Sequence, residues 1–184
     1  MTDAALLSIL SGMTGKTKQL ALCALGAALT LALTMLALPL PGGHGYVHLG
    51  DIPVLLFPLL LYRMQGGRRG ACSLAALAVA LGASGADLLL GFAIYAPATL
   101  LIKGTAAFLA LLLFRVFPKK IRFLAPFLAC LVIPVGYWGY ELLLGIGWAV
   151  SLVNLPLNAL QGFIGAAGAW GVYLGLERVI MRNL

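Results

Sequence analysis

Pro97-Ala-Thr-Leu-Leu-Ile-Lys103-Gly-Thr-Ala-Ala-Phe-Leu-Ala-Leu-Leu-Leu-Phe114-Arg115-Val-Phe117 is followed at once by Pro118-Lys-Lys-Ile-Arg122. The first stretch is long and apolar enough to cross a bilayer. A helix needs about 20 residues, at about 1.5 Å each, to span roughly 30 Å of hydrocarbon. The second stretch places cations where that helix leaves the membrane. Outward from this pair, apolar runs at residues 20–38, 52–62, 71–90, 97–117, 123–144 and 152–176 predict six transmembrane helices. The run at 52–62 is short and carries Pro53 and Pro58, so a bent or partly embedded segment is expected there. Composition agrees: 62% of residues are hydrophobic and 9% charged, with mean hydropathy +1.07. A soluble domain carries about 25% charged residues. Most of this surface must therefore face lipid.

The cations orient the bundle. Lys16 and Lys18 precede the first run, and Arg63, Arg68 and Arg69 separate the second from the third. Arg115, Lys119, Lys120 and Arg122 lie between the fourth and fifth, and Arg178 and Arg182 follow the sixth. Of the 12 basic residues, only Lys103 falls elsewhere. Positive charge is retained in the cytoplasm, so both termini are expected inside and the loops at 39–50, 91–96 and 145–151 outside. The chain then divides into a cytoplasmic or interfacial segment, 1–17, and a six-helix membrane domain, 18–184. The net charge of +7 reports this topology and requires no nucleic-acid partner.

Cys23, Cys72 and Cys130 lie inside apolar runs and suggest no disulfide framework. The run Ala4–Leu10 lacks a basic segment before it and does not resemble a cleaved signal, so it is expected to be retained. Gly15-Lys16-Thr17 imitates part of a phosphate-binding loop. That loop needs a further glycine where Leu10 stands, and no strand precedes it.

Ionisable side chains within a span cost about 2.5–3.5 kcal/mol each, so their positions carry information. Asp51, Asp87, Lys103 and Glu141 all fall toward the outer side. Polar and aromatic neighbours accompany them at helical spacing. Tyr95, Thr99 and Lys103 form one stripe; Ser84 and Asp87 a second; Tyr137, Trp138 and Glu141 a third; Asn154, Asn158 and Gln161 a fourth. The inner halves are almost wholly apolar. Polar groups that only join helices, through an ion pair of Lys103 with Asp87 or Glu141 for example, have no reason to gather in one leaflet. An outward-facing binding cavity does. The aromatic residues Tyr95, Tyr137 and Trp148 also suit an interfacial belt.

The loop Pro41-Gly-Gly-His-Gly-Tyr-Val-His-Leu-Gly-Asp51 reads as a lid, with glycines that permit close approach and with His44, Tyr46 and His48 as flat rings. His44, His48 and Asp51 also form a possible metal set, but the glycines argue against the helix that would space such ligands. No resident metal or cofactor is expected. Small residues recur on the first run at Ala24, Ala28 and Ala32 and on the last at Ala167, Gly171 and Gly175, where helices can approach closely.

Three stretches then carry a resemblance: Gly45-Tyr-Val-His-Leu-Gly-Asp51, Ser84-Gly-Ala-Asp-Leu-Leu-Leu-Gly91 and Tyr95-Ala-Pro-Ala-Thr-Leu-Leu-Ile-Lys-Gly104. With Asn158-Ala-Leu-Gln-Gly162, they are similar to the substrate-binding S components of energy-coupling factor (ECF) transporters, over about residues 18–180. The resemblance implies an all-α, six-helix membrane protein with an outer lid loop between helices 1 and 2. It implies capture of a small vitamin or precursor, docking on a transmembrane coupling subunit joined to two ATPases, and release inward by tilting of the whole subunit. Ala24, Ala28 and Ala32 match the family's docking stripe.

The residues expected in the substrate site are Asp87, Tyr95, Thr99, Lys103, Tyr137, Trp138, Glu141, Asn158 and Gln161, with His44, Tyr46, His48 and Asp51 in the lid. Three carboxylates against one lysine leave a formal charge of −2, which favours a neutral, hydroxyl-rich or cationic ring of the pyridoxine, hydroxymethylpyrimidine, thiamine or flavin kind over a polyanion. Other readings are a stand-alone or proton-coupled carrier, and an intramembrane enzyme using His44, His48 and Asp51. The enzyme reading lacks a nucleophile motif, since Ser84 is the nearest serine by this topology.

Overall fold

The computed structural model describes residues 15–39, 46–64 and 70–182. His44, Arg68, Arg69 and the run Ala4–Leu10 lie outside the described residues, as do the side chains of Tyr46 and Cys72. Among the described residues, the regular structure is helical except for one short strand pair. Helix α1 (Gly15–Met35) leads to β1 (Leu38–Pro39), which pairs antiparallel with β2 (Tyr46–Val47). Then come α2 (Asp51–Met64), α3 (Gly70–Leu89), α4 (Ala96–Val116), a 3-10 turn (Lys119–Ile121), α5 (Leu124–Ala129), α6 (Val132–Leu143) and α7 (Trp148–Arg182).

Among the described residues, four helical stretches are long and apolar enough to cross a membrane: Gly15–Met35, Ala96–Val116, Leu124–Leu143 and Trp148–Arg178. Ser73–Leu89, within α3, is a shorter apolar helix. The surface is the inverse of a soluble protein's. Leu101 is 70% exposed and Leu143 86%, and Leu25, Leu81, Leu112, Val153 and Leu160 also point outward. These leucines cover a multi-pass membrane protein.

The short second run is the centre of the fold. Helix α2 buries Asp51 and every residue from Pro53 to Leu61, and it touches α1, α3, α4, α5 and α7. A helix apolar on all sides is one enclosed on all sides. Pro58 sits inside it without ending it. Around this shaft, glycines set the spacing. A Cβ at Gly82 would stand 2.2 Å from the Ala27 carbonyl oxygen, so α1 and α3 meet backbone to backbone. The buried side of α1 presents Cys23, Gly26, Thr30 and Thr34, and Ala24, Ala28 and Ala32 lie on its exposed side.

Three differences from the sequence expectation have a local physical cause. Helix α1 starts at Gly15 rather than residue 20 because Lys16, Lys18 and Gln19 propagate a helix well beyond its apolar part. The fifth run is split between α5 and α6. Pro134 has no N–H to offer the Cys130 carbonyl, which instead accepts from the Ile133 amide at 3.1 Å. The last outer loop is shorter than expected, because α7 already begins at Trp148. Gly145 and Gly147, at φ +71° and +100°, make the tight reversal before it, a conformation that side chains with a Cβ rarely adopt.

At the end carrying the cations, Arg63 of α2 pairs with Glu177 of α7 at 3.1 Å, and the Tyr173 hydroxyl donates to the same carboxylate oxygen at 3.0 Å. Arg122 lies 4.9 Å over the Phe114 ring. These contacts fasten one end of the bundle and leave the polar stripes at the other.

Candidate functional site

Asp51 opens α2 and is wholly buried. Its carboxylate is held from two sides. Lys103 of α4, also wholly buried, donates its ammonium to Oδ1, and Gln161 Nε2 of α7 donates to Oδ2 at 3.0 Å. A Cβ at Gly165 would come within 2.5 Å of the Asp51 Cβ, so glycine there lets α7 close on the carboxylate. Gln161 also fastens the segment just before α2: its Oε1 accepts the His48 backbone N–H at 3.1 Å, and its Nε2 is 3.3 Å from His48 Nε2. His48 Nδ1 in turn accepts the Gly50 amide at 2.9 Å. One amide side chain thus ties the residues just before α2 to the central ion pair.

Next to this network stands an aromatic wall. Lys103 Nζ is 5.4 Å from the centroid of the Tyr137 ring, and the Tyr137 hydroxyl shares a 2.8 Å hydrogen bond with Thr99. Tyr95, capping α4, packs against Tyr137 at 6.4 Å and Tyr140 at 5.9 Å. The Tyr140 hydroxyl donates to the Ile94 carbonyl at 2.5 Å and locks the α3–α4 turn to α6. Glu141, buried, accepts from Asn154 Nδ2 at 3.0 Å and lies within hydrogen-bonding reach of the Tyr95 hydroxyl, whose charge environment also includes buried Asp87. Trp138 meets Trp148 edge to face at 5.4 Å, and its indole Nε1 is buried with no hydrogen-bond partner among the described residues.

The structural alternative weighed from the sequence pairs Lys103 with Asp87 or Glu141; in the structure its ammonium is held by Asp51. Asp51, which closes the glycine-rich loop and opens the second span in the sequence, does head α2, and because the other helices enclose α2 it is carried into the bundle. Asn154 was singled out in the sequence only as part of a stripe, yet it is the residue that reaches Glu141, one helical repeat before Gln161. Asn158, between them, is half-buried. Tyr140 was not expected at all, and its only signal is that it directly precedes Glu141. Ser84 donates to the Ala96 carbonyl at 2.8 Å, a link between α3 and α4.

Burial pushes His48 down to about 4, against a smaller upward pull from Asp51, while Lys103 adds a downward push. The imidazole is therefore neutral where it packs against Gln161. A lowered histidine stabilises this packed arrangement above its free value, near 6.5, and that stability is lost as pH falls from 6.5 toward 4. Hydrogen exchange at the His48 and Gly50 amides, corrected for intrinsic rates, is expected to lose roughly twenty- to thirtyfold protection between pH 7 and pH 5. His48→Gln should flatten that dependence. A dependence that persists in the variant would assign it to another group.

A family model described as ECF-type riboflavin transporter, S component, matches residues 14–178. No curated protein matches the chain.

Proposed function

This chain belongs to the ECF-type riboflavin transporter S component family, and from that premise we propose that it captures a small vitamin or vitamin precursor outside the cytoplasmic membrane and delivers it through an ATP-driven ECF complex. In this reading it crosses the membrane six times with both termini inside. Residues 1–17 lie at the cytoplasmic face and 18–184 form the membrane domain. Its partners are a transmembrane coupling subunit and two ATPases, and Ala24, Ala28 and Ala32, exposed along α1, form the docking stripe.

The observation that carries the proposal is the fastening of His48 through Gln161 to the Asp51–Lys103 pair. A lid whose closing bonds run into the same helices as an aromatic and acidic wall is what reversible capture of a ring requires. Asp87, Tyr95, Thr99, Lys103, Tyr137, Trp138, Glu141, Asn158 and Gln161 are the proposed contacts, under the lid of His44, Tyr46, His48 and Asp51. The riboflavin, pyridoxine and hydroxymethylpyrimidine or thiamine classes all fit a flat ring with hydroxyl or amino substituents.

Native mass spectrometry of the gently purified protein tests this reading together with uptake in cells that have or lack a coupling module. One retained species of vitamin mass is expected, with uptake only where the module is present. Uptake undiminished without any coupling ATPase would instead make the chain a stand-alone carrier.

A further inference from the structure

We propose that the basic end of the bundle holds an anionic phospholipid, its phosphate gripped by Arg115 and Arg122 beside Lys119 and Lys120. The site lies where α2, α4 and α7 come together. Tyr62 of α2 meets Phe114 of α4 edge to face at 6.1 Å, and Phe114 meets Tyr173 of α7 at 5.3 Å. Two guanidiniums stand on neighbouring rings of this cluster. Arg115 is 5.8 Å from the centroid of Tyr62, and Arg122 is 4.9 Å from that of Phe114. Arg122 is held further by its Nε, which donates to the Phe117 carbonyl at 3.2 Å. Lys119 and Lys120 are exposed on the 3-10 turn between the two arginines.

The charges at this end do not cancel. Among the described residues Glu177 is its one carboxylate, since Asp51, Asp87 and Glu141 stand at the other end. Arg63 and the Tyr173 hydroxyl already hold it. Arg115, Lys119, Lys120 and Arg122 form no ion pair among the described residues. These four cations fall within eight residues of chain and repel one another, and a shared anion relieves that repulsion. With its Nε on a carbonyl, Arg122 keeps two Nη groups for an acceptor. A guanidinium fixed against a ring presents parallel N–H donors in the geometry that a phosphate accepts.

What surrounds the cations favours a lipid over a free anion. Phe108, Leu112 and Val116 recur every fourth residue along α4 and are all exposed, an apolar stripe that leads to the basic turn. Ile121 and Phe123, beyond the lysines, are exposed as well. An acyl chain can lie along that stripe while its headgroup reaches the cations. Each basic group at a membrane surface favours anionic lipid by roughly fivefold. A zwitterionic headgroup brings its own cation against the same four and gains less. A free phosphate uses the cations but leaves the stripe unused. The coupling subunit proposed above has a different side to dock on. Helix α1, with Ala24, Ala28 and Ala32, packs chiefly on α2 and α3, whereas this surface belongs to α4 and the turn after it.

Native mass spectrometry of the full chain, released from nanodiscs of equal phosphatidylglycerol and phosphatidylcholine, tests this. Retained phosphatidylglycerol is expected to exceed phosphatidylcholine by at least about fivefold. Arg115→Gln with Arg122→Gln should bring the ratio close to parity, and thermal melting checks that this variant folds. Lys119→Gln with Lys120→Gln should lower the ratio severalfold; both lysines are exposed, so their loss leaves the packing intact. Lys16→Gln with Lys18→Gln, which removes two exposed cations from α1, should change it little. Equal retention of the two lipids by the unaltered chain overturns the proposal. An equally large loss in the Lys16 and Lys18 variant does so too, because it assigns the preference to net charge. Displacement of the lipid by excess inorganic phosphate would make the ligand a free anion. A cross-link from Lys120→Cys to the coupling subunit in the assembled complex would give the surface to protein instead. None of these outcomes bears on the proposed vitamin site, which lies at the opposite end.

Discussion

Lys103→Ala is expected to lower the unfolding free energy by about 3–5 kcal/mol, the usual cost of removing one partner from a buried ion pair, and to abolish ligand capture. The variant leaves the Asp51 carboxylate enclosed, with only the Gln161 amide donating to it. Gln161 also holds the His48 amide, so the loss spreads to the segment before α2. Replacing both members, Lys103→Met with Asp51→Asn, removes the stranded charge and should recover most of the stability but not the capture. That contrast separates a pair kept for packing from one kept for the site. Equilibrium unfolding in mixed micelles, followed by tryptophan fluorescence, reads the stabilities. A loss below about 1 kcal/mol for Lys103→Ala would mean that water or a proton already neutralises Asp51.

Gly82→Val is expected to destabilise the fold by at least the roughly 1–3 kcal/mol of an overpacked core. Its Cβ would stand 2.2 Å from the Ala27 oxygen and 3.0 Å from the Ala27 carbonyl carbon and Cα. All three are backbone atoms, so no side chain can rotate away and α1 must move off α3. The consequence reaches the start of α2, because α1 also carries Thr34, whose hydroxyl oxygen is 2.0 Å from where a Gly50 Cβ would sit. Gly85→Ala is the control. One turn along the same helix, its nearest neighbour would be Leu31 Cδ1 at 3.6 Å, an ordinary contact. Melting temperatures should fall by several degrees for the first variant and hardly move for the second. Equal melting temperatures would show that α1 and α3 can separate at little cost.

The sequence made the membrane character legible because that depends on composition and on the side where cations fall, neither of which needs three-dimensional knowledge. Gathering of the polar stripes was legible for the same reason, since i, i+4 spacing fixes a face. The partner of Lys103 was not. Choosing among three carboxylates needs the order in which helices pack, and α2, too short to look like a full span, gave no sign that it stands in the middle. The break after Cys130 was signalled by Pro134, but a proline inside an apolar run is also compatible with a mere kink, as Pro58 shows within α2.

The length of α2 also has a consequence for the membrane. Its 14 residues reach about 21 Å, against roughly 30 Å of hydrocarbon, and the 35 residues of α7 reach about 52 Å. A lipid-facing helix that short would thin the bilayer or tilt its neighbours. Enclosed by other helices, α2 meets no lipid and incurs no such mismatch. With Arg63 paired to Glu177 near one end and Asp51 wholly buried at the other, about 18 Å away, the level of the bundle at which the buried ion pair sits is set by how early this helix ends.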